Sequence, residues 1–147
     1  MSEIKNIRFR RKCPVSLLWI SLLLVGFASS IFAAKDYSIE TIPNVRLSNR
    51  LNHVSNPDGI ITPDDAARIN QLLNVVEDSL GIEVAVVAVN SIGDQDARMF
   101  ATVLFKHWGL GQKSKDNGLL IQLVTEPSQR SVVFETGYGI ELSLIHI

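Results

Sequence analysis

The chain has 147 residues with 14 basic and 15 acidic side chains, but these charges are unevenly placed. Five basic residues lie before position 13, whereas the chain from Ala34 onward carries 9 basic and 14 acidic residues. This acidic region argues against nucleic acid as a partner, because such affinity comes mostly from Lys and Arg on phosphates. The only cysteine, Cys13, lies near the N-terminus, so the region from Ala34 onward has no disulfide and no thiol chemistry.

The first 33 residues have the order of a secretory signal. Basic residues stand immediately before an uncharged apolar segment, Pro14 to Ala34, and small residues interrupt its second half. Two outcomes are expected for residues 1–33: cleavage after Ala33, or retention as an N-terminal membrane anchor, since roughly 20 apolar residues span a bilayer. Both predict an exported protein, in the periplasm or at the extracytoplasmic face of the membrane, because the positive end stays in the cytoplasm.

A polar lead-in and a well-marked helix follow. Residues 34–51 are polar with weak periodicity, and Asn-Pro-Asp-Gly at 56–59 predicts a turn. Thr62 and Pro63 predict a helix start, with Thr as the N-cap and Pro at the first helical position. Apolar residues then recur at helical spacing up to Gly81, which is typical of a helix C-terminus.

The remaining elements alternate between strands and one further helix. Residues 82–89 are almost wholly apolar and rich in β-branched side chains, which predicts a strand buried on both faces. A helix is predicted at 95–108, a polar loop at 112–117, and strands at 118–125 and 130–136. The order helix, strand, helix, strand, strand predicts an α/β fold with a mixed sheet and helices packed on both of its faces.

Glycine-containing motifs stand at the ends of these elements. The second helix runs into Trp-Gly-Leu-Gly at 108–111, Asp-Asn-Gly stands at 116–118, and Gly-Tyr-Gly-Ile-Glu stands at 137–141. In this order and spacing, over roughly residues 52–141, the chain resembles the TPM domain family. That family includes thylakoid lumen proteins and exported bacterial proteins of the YgcG type. The three motifs are specific together, although none of them is specific alone.

The resemblance carries expectations about fold and function. It implies a three-layer α/β/α sandwich around a mixed sheet of about four strands. It also implies a position on the outer side of a membrane, with calcium binding, weak acid phosphatase activity, or a part in assembly or repair of membrane complexes. Family members continue past the Gly-Tyr-Gly-x-Glu motif into another helix, whereas the tail at 142–147 does not match. We therefore expect an incomplete TPM domain at 52–141 that lacks at least one covering helix.

Four residues with oxygen-bearing side chains lie at junctions of predicted strands and turns, where open α/β sheets bind ligands. They are Asp58, Asp116, Asn117 and Glu141. Such hard oxygen ligands suit Ca²⁺ or Mg²⁺, whereas none of the three histidines is paired at the spacing that transition metals need. A local role is the alternative for each acid: Asp58 as a turn residue, and Asp116 as a residue that shapes the loop before Gly118. Tyr138, which lies between two glycines, is expected at a pocket rim.

Three functions are compatible with these features. The leading hypothesis is a divalent-cation-binding accessory domain for the assembly or maintenance of an envelope or membrane protein complex. The alternative is a weak metal-dependent acid phosphatase, in which Asp116 acts as a carboxylate nucleophile or holds a metal-bound water. The third is an interaction module whose loop acids bind no metal. The sequence contains no Gly-x-Ser-x-Gly or Walker motif that would indicate other catalysis.

Overall fold

A computed structural model describes residues 35–111 and 115–140. The predicted leader, residues 112–114 of the polar loop, and the C-terminal tail lie outside these ranges. Glu141, one of the predicted metal ligands, also lies outside them.

The centre of the fold is a four-stranded mixed sheet, which confirms the predicted fold class. Its strands are β1 (Val54–Ser55), β2 (Glu83–Val89), β3 (Gly118–Val124) and β4 (Ser131–Thr136), in the order β1-β2-β3-β4. The first three strands are parallel and β4 is antiparallel to β3. The sequence did not predict β1, because a strand of two residues is too short to show alternating apolar and polar side chains.

Two helices connect the parallel strands: the first begins and ends where the sequence predicts, and the second ends as predicted but begins two residues later than the predicted start at 95. Helix α1 spans Pro63–Leu80, and the Thr62 side chain caps it by accepting a hydrogen bond from the Asp65 N–H. Helix α2 spans Ala97–Trp108. Each helix ends at a glycine in the left-handed conformation, where an L side chain would be strained. Among the described residues, no helix is long and apolar enough to cross a membrane.

One face of the sheet and α2 enclose the main apolar core. Side chains alternate along β2, so Ala85, Val87 and Val89 share this face and pack with Phe100 and Leu104 of α2. The buried Gln122 lies on the same face, and its Nε2 donates to the Ala97 carbonyl at 3.1 Å. The contact of α2 with β3 and β4 therefore fixes the second half of the sheet.

The opposite face is covered by α1 over β1 and β2. Val54, Val84, Val86 and Ala88 are buried on this face, α1 contacts β1 and β2, and none of its apolar side chains joins the core around α2. The helices thus lie on both faces, as the predicted three-layer sandwich requires. Over β3 and β4 this face is open: Val132 and Phe134 are 56% and 63% exposed. Phe134 pairs with Ile121 in the register of the two strands.

The segment predicted as a polar lead-in is part of the folded domain. We call residues 35–53 the strap. Within it, Tyr37 and Ile42 join the core around α2, and Arg46 and His53 are buried. The folded domain therefore includes side chains that precede residue 52. The pattern was weak because the strap is irregular, with one short 3-10 turn at Val45–Leu47, and irregular backbone buries residues without a period.

Candidate functional site

The predicted ligand residues fall on opposite edges of the sheet. Asp58 follows β1 at the edge where the parallel strands end, which we call the carboxyl edge. Asp116 and Asn117 precede β3, and Tyr138 follows the antiparallel β4, so all three lie at the amino edge. A seven-residue strand such as β2 separates the edges by about 20 Å. Asp58 and Asp116 therefore cannot bind the same ion.

At the carboxyl edge, Asp58 is held by one hydrogen bond on each carboxylate oxygen. Oδ1 accepts from the Tyr37 hydroxyl at 2.8 Å, and Oδ2 accepts from the Asn90 N–H at 2.7 Å. Burial raises the pKa of the Tyr37 phenol above its ordinary value, and the hydrogen bond and negative charge of Asp58 act in the same direction. Asp58 thus fixes the strap to the end of β2, beyond any role in the turn at 56–59.

The same edge contains a cleft of about 290 Å³, which we call the acidic cleft. Its described lining contains three carboxylates and no basic side chain. The lining residues are Asp36, Ser91, Gly93, Asp94, Glu126, Ser128 and Gln129. The walls come from the strap and from the loops that follow β2 and β3. The acidic cleft therefore lies at the carboxyl ends of β2 and β3, the edge of an open α/β sheet at which ligands bind.

Hydrogen bonds set the shape of the acidic cleft. The Ser91 hydroxyl donates to Asp36 Oδ1 at 2.6 Å, and the Glu126 N–H donates to the Asn90 carbonyl at 2.8 Å. Gln129 Nε2 donates to the Gly93 carbonyl, and Gln129 Oε1 is buried with no hydrogen-bond partner in the part of the chain that the structure describes.

Sequence reasoning missed the acidic residues of this cleft. The signal was present, because Asp94 and Glu126 each follow a predicted strand within a few residues. Asp36 carried no such signal, since it lies in the strap. Within residues 35–111 and 115–140, no three His, Cys, Asp or Glu side chains lie close enough together to hold a metal ion by themselves. A cation here would therefore need hydroxyl, amide or carbonyl oxygens as well.

At the amino edge, backbone hydrogen bonds between the glycine motifs hold the segment after β4 against the loop before β3. The Gly139 N–H donates to the Asp116 carbonyl at 3.1 Å, and the Gly137 N–H donates to the Gly118 carbonyl at 2.8 Å. A Cβ added to Gly137 would lie 2.1 Å from the Asp116 carbonyl oxygen, so only glycine fits. Asp116 itself has a φ of 46° and an exposed side chain, which matches the loop-shaping alternative.

Asn117 and Tyr138 also lie at the amino edge, where Asn117 forms hydrogen bonds to neighbouring elements and Tyr138 lies at the surface. The Asn117 side chain donates to the Gly81 carbonyl at the end of α1, and its backbone carbonyl accepts from the Glu83 N–H at 2.9 Å. Asn117 therefore connects α1, β2 and β3. Tyr138 is 66% exposed, so its ring lies at the surface, and its place at a pocket rim stays a prediction.

A buried charged cluster ties the strap to the amino edge. Arg46 donates to both carboxylate oxygens of Glu77 at 3.0 Å, and its Nη2 lies 3.1 Å from Glu83 Oε1. The other Glu83 oxygen accepts from the Gly111 N–H at 2.9 Å. His53 Nδ1 lies 2.8 Å from Arg46 Nη1 and 2.8 Å from the Val84 carbonyl oxygen. Each buried charge in this cluster has a partner of opposite charge. The cluster therefore has a structural role, since it joins the strap to α1 and β2.

Comparison with known proteins agrees with the motifs and the sheet. The TPM domain family matches residues 54–144, which is more than half of the chain. The chain belongs to the TPM domain family. The solution NMR structure of the N-terminal domain of a protein from P. gingivalis is similar at 37% sequence identity, with a TM-score of 0.66. That similarity covers 73% of this chain and 67% of the other. No curated protein matches the chain.

The TPM match begins after the strap and ends in the tail. It extends to residue 144 and so includes residues 142–144 of the segment 142–147. The match begins at residue 54, so the strap lies before it while contributing Tyr37 and Ile42 to the core. In this TPM domain, one wall of the acidic cleft is thus supplied by chain outside the family match.

Proposed function

We propose that this TPM domain binds a divalent cation in the acidic cleft and serves as an accessory domain of a membrane or envelope protein complex. The observation that carries the proposal is that Asp36, Asp94 and Glu126 line one cleft at the carboxyl edge, with no basic residue in the described lining. The net negative charge of the chain from Ala34 onward supports the same partner. Asp58 is outside this lining, and it holds Tyr37 and the Asn90 N–H, which are the chain neighbours of Asp36 and Ser91.

Calcium fits this set of oxygens better than magnesium. Calcium takes six to eight oxygen ligands in flexible geometry, whereas magnesium demands a near-ideal octahedron. The acidic cleft offers carboxylates on three separate segments, together with the Ser91 hydroxyl. A mixed and irregular set of this kind supports Ca²⁺ as the preferred ion. Asp116 and Asn117 lie at the other edge and are not part of the proposed site.

The two other functions give different predictions about these residues. A phosphatase that uses Asp116 would place its chemistry about 20 Å from the acidic cleft, across the length of β2. Substitution of Asp116 would then remove turnover of a phosphate ester and leave cation binding intact. An interaction module without a metal would show neither effect.

The proposed position on the outer side of a membrane rests on two features of the sequence: the basic residues before position 13 and the apolar segment from Pro14 to Ala34. Protease added to intact cells should digest the domain only after the outer envelope is opened. Digestion only after lysis of the inner membrane would contradict export.

Calcium titration of the full chain, followed by thermal melting in detergent, tests the cation site. With calcium tenfold above its Kd, the melting temperature should rise by about 5 °C. Asp36→Asn and Glu126→Gln should each abolish most of this rise. Asp116→Asn should keep it, and so should Asp78→Asn on the exposed side of α1, which is the matched control. A melting temperature that does not change up to 10 mM calcium would overturn the proposal.

A further inference from the structure

The strap connects the two edges of the sheet. At the carboxyl edge, the Tyr37 N–H donates to the Ser91 carbonyl at 3.0 Å, and Asp36 forms an isolated parallel bridge with Ser91. At the amino edge, Arg46 enters the charged cluster with Glu77 and Glu83. The same short segment therefore takes part in the acidic cleft and in a buried cluster at the far edge.

Between these ends, side chains and single hydrogen bonds hold the strap, and Ile39 packs against the core. Ile42 is 3% exposed in the core, and the Ser55 hydroxyl donates to the Pro43 carbonyl at 2.7 Å. Apart from the bridge at Asp36, no strand ladder runs along the described part of the strap. Irregular backbone without a ladder depends on its side-chain anchors for order.

The strap shapes the acidic cleft in two ways. It supplies Asp36, whose Oδ1 accepts from the Ser91 hydroxyl. It also supplies the Tyr37 hydroxyl, which holds Asp58 Oδ1 beside the end of β2. If the strap moved, one carboxylate would leave the acidic cleft and Asp58 would lose one of its two hydrogen bonds.

We propose that Arg46 and Tyr37 are positioning residues for the acidic cleft, with Arg46 acting from the opposite edge of the sheet. Arg46 anchors the strap through its paired hydrogen bonds to Glu77 and its contact with Glu83, and so keeps Asp36 and Tyr37 in place. For its effect on cation binding, this inference rests on the proposed function. Its effect on the order of the strap does not depend on a cation.

Arg46 suits an anchor because its planar guanidinium matches a carboxylate in two places. Both terminal nitrogens donate to Glu77 at 3.0 Å, and Nε donates to Glu83 Oε1 at 3.2 Å. Lysine keeps the charge but cannot reproduce this fork. Arg50 touches Glu77 only at 4.0 Å, with a side chain that is 83% exposed, and therefore provides a matched control.

Hydrogen exchange of the full chain, without added metal, tests the anchor. In Arg46→Met, the Tyr37 amide should exchange at least about tenfold faster, since its bond to Ser91 depends on an ordered strap. Arg46→Lys should give a smaller increase in the same direction, and it serves as the folded variant if Arg46→Met unfolds. Arg50→Met should leave the rate unchanged. An unchanged Tyr37 rate in a folded Arg46 variant would overturn the inference.

Calcium affinity then tests the coupling between the two edges. Arg46→Lys and Tyr37→Phe should each weaken calcium binding about three- to tenfold, the range expected when one or two hydrogen bonds are lost. Tyr138→Phe is the matched control and should bind like the wild type. Wild-type affinity in both Arg46→Lys and Tyr37→Phe would contradict the inference. A wild-type chain that binds no calcium would contradict the proposed function alone. The exchange rates would then still show whether Arg46 anchors the strap.

Discussion

Gly118 and Gly111 lie back to back at the amino edge of the sheet. A Cβ on Gly118 would lie 2.6 Å from both the carbonyl carbon and the carbonyl oxygen of Leu110, and 2.8 Å from the Gly111 nitrogen. Gly118 has no positive φ, so the requirement for glycine there is one of space. The Trp-Gly-x-Gly and Asp-Asn-Gly motifs of the TPM family therefore meet as backbone against backbone.

This contact predicts that Gly118→Ala is strongly destabilising. Because the obstructing atoms are backbone atoms that cannot rotate away, we expect a loss of about 2–4 kcal/mol in the free energy of unfolding, measured by urea denaturation. Gly109→Ala is the control: Gly109 has a φ of 62° with open space around its Cβ position. That substitution should cost only about 1 kcal/mol. Equal losses in the two variants would contradict the steric explanation.

Most of the regular structure could be predicted from local sequence. Thr62, Pro63 and Gly81 fix the ends of α1 through capping and backbone conformation, which are interactions between neighbours in the chain. Strands β2 and β3 are long apolar runs because both of their faces are covered or partly covered. The strap could not be predicted in this way, since its buried residues follow no period.

The candidate site was harder to predict, because it depends on which end of each strand a residue occupies. Asp58 follows a strand and Asp116 precedes one, and a sequence marks both simply as residues beside a turn. Asp36 reaches the acidic cleft only through pairing with Ser91, which lies 55 residues away along the chain. Contacts between residues so far apart in the chain depend on the order of strands in the sheet. Local sequence patterns do not specify that order.

The Tyr37–Asp58 contact predicts a specific loss of stability at alkaline pH. The folded protein raises the pKa of the Tyr37 phenol, so the folded state holds this proton more tightly than the unfolded chain does. The resulting stabilisation is complete below the unfolded value of about 10 and is lost as the pH rises through the folded pKa. Urea denaturation between about pH 9 and pH 11.5 should show a steeper fall for the wild type than for Tyr37→Phe. Tyr138→Phe should follow the wild type, and parallel curves for all three proteins would rule out this role for Tyr37.

The two faces of β4 predict opposite outcomes for neighbouring valines. Val133 packs against the core around α2, whereas Val132 lies on the open face and is 56% exposed. Val133→Thr puts a hydroxyl into an apolar contact and should cost about 1–2 kcal/mol in the free energy of unfolding. Val132→Thr should change that free energy by less than about 0.5 kcal/mol. If Val132→Thr were the more damaging change, the open face would be covered in solution.

Gln122 predicts a substitution that leaves the fold as stable as before, or more stable. Its side chain is fully buried beneath α2, where Nε2 donates to the Ala97 carbonyl while Oε1 has no hydrogen-bond partner among the described residues. Methionine has a similar shape and removes the unpaired oxygen, and the Ala97 carbonyl can still accept a hydrogen bond within α2. Gln122→Met should therefore change the free energy of unfolding by between zero and about 1 kcal/mol, in the stabilising direction.

Gln122→Glu places a charge at the same buried position, with no basic side chain among the described residues of the core around α2, and should destabilise by about 3 kcal/mol or more at neutral pH. Thermal and urea denaturation of the two variants at pH 7 measure this difference. A loss of more than about 1 kcal/mol in Gln122→Met would mean that the bond to Ala97, or a water bound at Oε1, stabilises the contact between α2 and the sheet.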